Sequence, residues 1–210
     1  MAAQKSSELH DLAVASALSI VEDHGIEALT LRAVARELRV THRAVAKQTD
    51  GWAGLLAAVA GAIHWRFDRL LGNTPACAPG VPGAFRAMGR TYITFARAHP
   101  EWIRLLSLPA VTTSRTAALL DARRLFYDRM VRAIEDGQRR GVLRAGPVEP
   151  IASFASMAVQ GFVLLEHAME DVGEEDPDVR AEGFLDGVFL GIRALDDPGW
   201  WPESVLRIRR

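Results

Sequence analysis

The sequence predicts an all-α protein, and two observations carry that prediction. Successive segments place apolar residues at three-and-four spacing, and glycine or proline punctuates most boundaries between them. No segment reads as a strand, so the chain resolves into a small N-terminal unit of three short helices, a connecting helix and a larger helical C-terminal body.

The first helix is expected from Leu9 to His24, with Leu12, Ala13, Ala17, Ile20 and Val21 on one stripe and Gly25 as its stop. Thr30 then stands as an N-cap before LRAVAREL, where Leu31, Val34, Ala35 and Leu38 complete an apolar face. After the turn Arg39-Val40, Thr41 caps HRAVAKQ, which turns Ala44 and Val45 inward and His42, Arg43 and Lys47 outward. Asp50 is expected to cap a fourth helix reaching about Leu71. GNTPACAPGVPG, residues 72–83, reads as a loop or hinge. Beyond it come FRAMGRTYITFARAH, stopped by Pro100, and EWIRLLSL, stopped by Pro109. A long helix spans about Ser114 to Arg140, another about Ile151 to Asp171, and VRAEGFLDGVFLGIRAL forms the last. The expected units are residues 1–50, a connecting helix over 51–71, and a body over 72–210.

With 49% hydrophobic residues in 210, the chain can bury a substantial core. Its net charge of −1 excludes a general attraction to polyanions, so any nucleic-acid site has to be a local patch. The single cysteine, Cys77, cannot form an internal disulfide and is expected as an exposed loop thiol. The start MAAQKSSELHD has no signal-peptide apolar run, and stretches such as FASMAVQGFVLLEHAM stop short of a membrane span. A cytoplasmic protein without a membrane partner is the expectation.

The segment ALSIVEDHGIEALTLRAVARELRVTHRAV resembles the N-terminal DNA-binding domain of the TetR/AcrR-type bacterial transcriptional regulators. The likeness rests on the Gly25 stop, the Leu29-Thr30 entry, the Arg32, Val34 and Ala35 frame, the Leu38-x-Val40-Thr41 turn, and Leu55-Leu56. YITFARAHPEWIRLLSL is similar to the "FA..HPE...L" stretch of one C-terminal class, whose tryptophan-histidine-glycine signature falls on Val159-Gln160-Gly161. The resemblance implies a homodimer that reads double-stranded operator DNA and answers to a small-molecule effector held in the C-terminal body.

From Thr30 to Asp50 there are five basic residues (Arg32, Arg36, Arg39, Arg43, Lys47) and two acidic ones (Glu37, Asp50), so 5 − 2 = +3 on a nearly neutral chain. In a helix-turn-helix the second helix enters the major groove, where Arg43 can bond guanine O6 and N7, His42 can donate to a base, and Ala44 can meet a thymine methyl. Lys47 serves a base or a phosphate, while Thr30, Arg32, Thr41, Gln48 and Trp52 are expected at the sugar-phosphate backbone. The chain departs from the family pattern at three places, five positions in all. Arg39 stands where a turn glycine is usual, Ala46-Lys47-Gln48-Thr49 replaces tyrosine-x-histidine-phenylalanine, and Trp52 replaces a lysine. The phosphate grip is thereby thinned, which leaves open a second reading: a binding protein of this fold with weakened or lost DNA recognition.

In the body, Trp65, Met88, Tyr92, Trp102, Phe126, Met130 and Phe162 are candidates for an effector pocket implied by the resemblance, against the alternative that they are core. Arg90, Arg97, His99, Gln160, Glu166 and His167 are the polar candidates that could orient a ligand there. Gly183, Gly187 and Gly191 recur at i, i+4 and i+8, each costing a helix about 1 kcal/mol against alanine, so a close helix approach is expected. With Val188 and with Ala155, Ala158 and Phe162 on the preceding helix they suggest a four-helix dimer interface, the alternative being close packing within one subunit. The histidines form no metal-binding set, and neither a phosphate loop nor a nucleophile elbow occurs. Neither a catalytic role, a metal nor a cofactor is expected.

Overall fold

The computed structural model describes residues 2–170 and 175–193. Among them the regular elements are helices, apart from one isolated bridge between Leu143 and Arg193. The N-terminal unit comprises α1 (Ala2–His24), a 3-10 turn (Ile26–Ala28), α2 (Leu31–Glu37) and α3 (His42–Gln48). The connecting helix is α4 (Gly51–Gly72), and the body contains α5 (Ala84–Ala98), α6 (Pro100–Leu106), α7 (Pro109–Thr112), α8 (Ala117–Arg139), α9 (Val148–Glu170) and α10 (Pro177–Ile192).

Both threonine caps form. Thr30 Oγ1 accepts from the Ala33 amide at 3.0 Å and Thr41 Oγ1 from the Ala44 amide at 3.2 Å, fixing the starts of α2 and α3. Arg39 takes the left-handed conformation, with φ 55°, at the position where glycine would be unstrained. Asp50 does not cap α4: it too is left-handed, φ 52° and ψ 43°, and its side chain makes no cap bond. The α3–α4 connection is closed instead by Thr49, 2% exposed, whose hydroxyl lies 3.0 Å from the Val45 carbonyl and 3.1 Å from that of Gly51. The chain doubles back so tightly that a Cβ on Gly54 would stand 1.8 Å from the Thr49 carbonyl oxygen.

One core runs from head to body, joining Ala13, Val21, Val34 and Val45 through Leu55, Ile63 and Phe67 of α4 to Leu105, Ile134 and Ile151. Helix α4 is the shared wall, which is why its buried residues lie on both sides of a nearly continuous apolar sequence. Pro100 and Pro109 occupy first turns, so they start α6 and α7 as well as ending what precedes them. The proline-rich loop holds a 3-10 turn, Pro75–Cys77, that folds back on α5. Cys77 is buried there, with Sγ 3.6 Å from Thr91 Oγ1, contrary to the expected exposed thiol.

Three α5 arginines bind the carboxylates of the last two helices. Arg86 meets Asp186 at 2.6 Å and Glu182 at 2.7 Å, and Arg90 meets Glu182 at 2.6 Å. Arg97 pairs with buried Glu166 and with Asp178. By length and composition alone, Val148–Glu166 is apolar enough to cross a membrane, longer than the apolar stretch read from sequence. Its apolar residues divide between two faces: Ile151, Ala152, Ala155 and Val159 are buried in the fold, whereas Phe154, Met157, Leu164 and Leu165 are exposed.

Candidate DNA interface and ligand cavity

The basic segment projects from the head as the cap geometry dictates. Thr30, Arg32, Thr41, His42, Arg43 and Lys47 are exposed, while Val45 is fully buried and holds α3 against the core. Ala44 and Gln48 are half-buried at the edge of that packing. Trp52, 40% exposed, joins Thr30, Arg32 and His42 around one shallow depression between the starts of α2, α3 and α4. His10 Nδ1 donates to the Gln48 carbonyl at 2.9 Å, so α1 holds the C-terminal end of α3. Eight exposed or edge residues of the expected DNA set therefore share the surface that α2 and α3 form, and Trp52 lies beside it.

The body encloses two neighbouring cavities. The smaller, about 60 Å³, lies among Phe85, Met88, Phe126, Met130, Val159 and Val188. The larger, about 460 Å³, is bounded by residues of α4 to α9 and has an apolar wall of Phe67, Phe95, Ile103 and Leu106. Its polar groups are His64, Tyr92, Ser107, Thr112, Arg123 and Gln160. Tyr92, Phe126 and Gln160 border both cavities. Burial pushes the His64 imidazole down to about 4, reinforced by the Arg123 charge, and pushes the Tyr92 phenol up to about 12. Arg123 Nη2 donates to the Val111 carbonyl at 2.9 Å and Nη1 to that of Ser114 at 3.4 Å.

Of the expected effector residues, Met88, Tyr92, Phe126 and Met130 line these cavities. Trp65 does not: it is 51% exposed and lies against α1 in an outer groove. Trp102 is buried elsewhere, stacked on His99 with centroids 4.0 Å apart, with the Arg66 guanidinium 5.0 Å from its ring. Phe162 stacks on Phe184 at 4.4 Å between α9 and α10. Among the polar candidates, Gln160 borders the cavities, whereas Arg90, Arg97 and Glu166 are engaged in the α5 ion pairs. The His167 side chain lies outside the described residues. His64, Ser107, Thr112 and Arg123 were not anticipated, because each sits singly on its helix and only packing brings them together.

Helix α6 lies between cavity and head. Ile103, Leu106 and Ser107 face the larger cavity. On its other side Glu101 Oε2 accepts from the Ile26 amide at 3.0 Å, Arg104 reaches Glu27 at 2.6 Å, and His99 Nδ1, at the helix N-terminus, donates to Glu22 at 2.8 Å.

The expected dimer residues separate into two sets. Ala155 and Val188 are buried and border the smaller cavity, so they face inward. Gly183, Gly187 and Gly191 are exposed; a Cβ on Gly183 or Gly187 would meet nothing within 4 Å, so packing within the subunit does not explain them. Phe154, Met157 and Leu165 of α9 and Val179 and Leu190 of α10 are exposed apolar neighbours. Ala158 and Phe162 are half-buried. Among the described residues, no group of His, Cys, Asp or Glu is placed to hold a metal ion.

Residues 85–188 match a protein-family model described as "Tetracyclin repressor-like, C-terminal domain". No curated protein sequence matches the chain. Among solved structures, a Rhodococcus sp. RHA1 protein of unknown function is 26% identical, with TM-score 0.67, covering 88% of this chain and 95% of that one. A TetR-family transcriptional regulator from Pectobacterium atrosepticum is 21% identical, with TM-score 0.69 over 91% of this chain and 97% of that one. A TetR-family regulator from Marinobacter aquaeolei VT8 is 14% identical, with TM-score 0.66 and coverage of 91% and 99%. The protein RolR, solved with resorcinol, is 12% identical, with TM-score 0.66 and coverage of 92% and 91%.

Proposed function

We propose that this chain, which has the fold of the TetR-family transcription regulators and whose residues 85–188 form a tetracyclin repressor-like C-terminal domain, is a one-component repressor. It binds a pseudo-palindromic operator as a homodimer in the cytoplasm and is released by a small molecule; it is not an enzyme. The observation that carries this reading is the surface of α2 and α3. Arg32, His42, Arg43 and Lys47 stand exposed on two helices whose starts are fixed by Thr30 and Thr41, on a segment of charge +3 (5 − 2). Arg43 and His42 read bases, Ala44 meets a thymine methyl, Lys47 meets a base or phosphate, and Thr30, Arg32, Thr41, Gln48 and Trp52 hold the backbone. The exposed glycine and apolar stripe of α9 and α10 supports the homodimer, since a second copy would cover it.

Titration of random and selected duplexes at two salt concentrations tests the proposal, with sequence-selective binding expected at low salt. Arg43→Ala is expected to cost about 1–3 kcal/mol at a single base position. Absence of any sequence-selective binding would reject the repressor. It would favour the alternative, a ligand- or partner-binding protein of this fold without DNA recognition, for which Ala46, the buried Thr49 and the uncharged Trp52 speak.

A further inference from the structure

We infer that the larger cavity takes a small organic carboxylate with an apolar body, its carboxylate paired with Arg123 and its body laid against Phe67, Phe95 and Leu106. The inference rests on the effector reading and names the ligand class. At about 460 Å³ the cavity has room for an aryl or medium-chain acid, whereas its 60 Å³ neighbour holds no more than a few waters.

The charge balance selects the anion. The lining contains a guanidinium, an imidazole, a phenol, an amide and two hydroxyls, but not one carboxylate. Among the described residues Arg123 forms no ion pair: its hydrogen bonds go to the Val111 and Ser114 carbonyls, and the neighbouring charge acting on it is that of Arg115, also positive. A partly desolvated cation without a counter-charge carries a cost, and burial here lowers the proton affinity of both Arg123 and His64. Three partly buried arginines contrast with it: Arg129 holds Asp68 at 3.0 Å, and Arg86 and Arg97 hold carboxylates of α9 and α10. The carbonyl bonds also hold the Arg123 guanidinium in place before a ligand arrives, so less side-chain freedom is lost on binding. Ser107 and Thr112 border the same cavity, their hydroxyls donating to the Ile103 and Pro109 carbonyls at 2.9 Å and 3.3 Å, so Arg123 is the group that selects the carboxylate.

The test is calorimetric titration of the full chain, without DNA, against 4-phenylbutyrate, octanoate and benzoate, each beside its primary amide and its amine. At least one carboxylate is expected to bind roughly tenfold or more tightly than its amide, with no binding by the amine. Arg123→Gln is expected to abolish the carboxylate preference. Because that change also removes the bonds to Val111 and Ser114, Arg123→Lys serves as the second variant, retaining the preference at lower affinity. Equal binding of acid and amide, preference for the amine, binding by none of the carboxylates, or an unchanged preference in Arg123→Gln would overturn the inference. A parallel operator-release assay keeps the two readings apart. A carboxylate that binds but releases no DNA supports the cavity assignment and rejects the repressor; an uncharged compound that releases DNA without acid preference does the reverse.

Discussion

At the scale of single residues, the positions that matter most are those where backbone or burial works against the side chain. Arg39 spends its left-handed conformation in the turn between α2 and α3, a strain that glycine would not carry. Arg39→Gly is expected to raise stability by about 1 kcal/mol in chemical denaturation while removing one positive charge from the α2–α3 surface. His64 is the second case. Its folded pKa of about 4 lies below the ordinary 6.5, so between those values the unfolded chain binds a proton that the folded one refuses. Stability is therefore full above pH 6.5 and falls as pH drops toward 4, by on the order of 2–3 kcal/mol. Denaturation of wild type and His64→Gln at pH 7 and pH 4.5 checks this, with the smaller acid loss expected in the variant. The capping threonines were legible in the sequence because a cap is a local event within one turn. Asp50 misled because a capping side chain is useless when its own backbone is left-handed, and that conformation follows from how α4 packs on α3.

Among the elements, α6 has the most consequential placement. One face borders the larger cavity and the other holds α1 and the 3-10 turn through His99, Glu101 and Arg104. A ligand that moves Ile103 or Leu106 therefore presses on the contacts that orient the head. The Glu101–Ile26 bond is the direct link, and a buried-edge amide that loses a charged acceptor gives up about 1–3 kcal/mol. Hydrogen exchange of the Ile26 amide is expected to accelerate in Glu101→Ala while amides in the middle of α8 stay protected. Unchanged Ile26 exchange would show that the head is held by other contacts. The sequence marked α6 as a short helix between prolines, but its two-sided role depends on which faces meet cavity and head. Trp102 shows the limit: an aromatic at helical spacing reads the same whether it lines a pocket or, as here, stacks on His99 and lies under Arg66.

For the molecule as a whole, an apolar stripe remains to be covered. Phe154, Met157 and Leu165 beside Gly183 and Gly187 would draw two copies together through α9 and α10. Gly187→Arg places a long charged side chain on that face, where its Cβ would meet nothing of its own subunit within 4 Å. Sedimentation is expected to give a dimer for the wild type and a monomer for Gly187→Arg, with unchanged helical circular dichroism. A dimeric variant would move the interface elsewhere.

The sequence by itself determined most of the helices, their caps at Thr30 and Thr41, the stop at Gly25, and the basic segment on α2 and α3, because these are set by neighbours within a turn or two. Tertiary structure alone decided that Cys77 is buried, that Trp65 lies outside the cavity, that Ala155 and Val188 face inward, and that His64 and Arg123 share one cavity. Each of those facts depends on which helix faces meet. Residues 64 and 123 lie on different helices, and only the packing of α4 against α8 puts an imidazole and a guanidinium into the same apolar space.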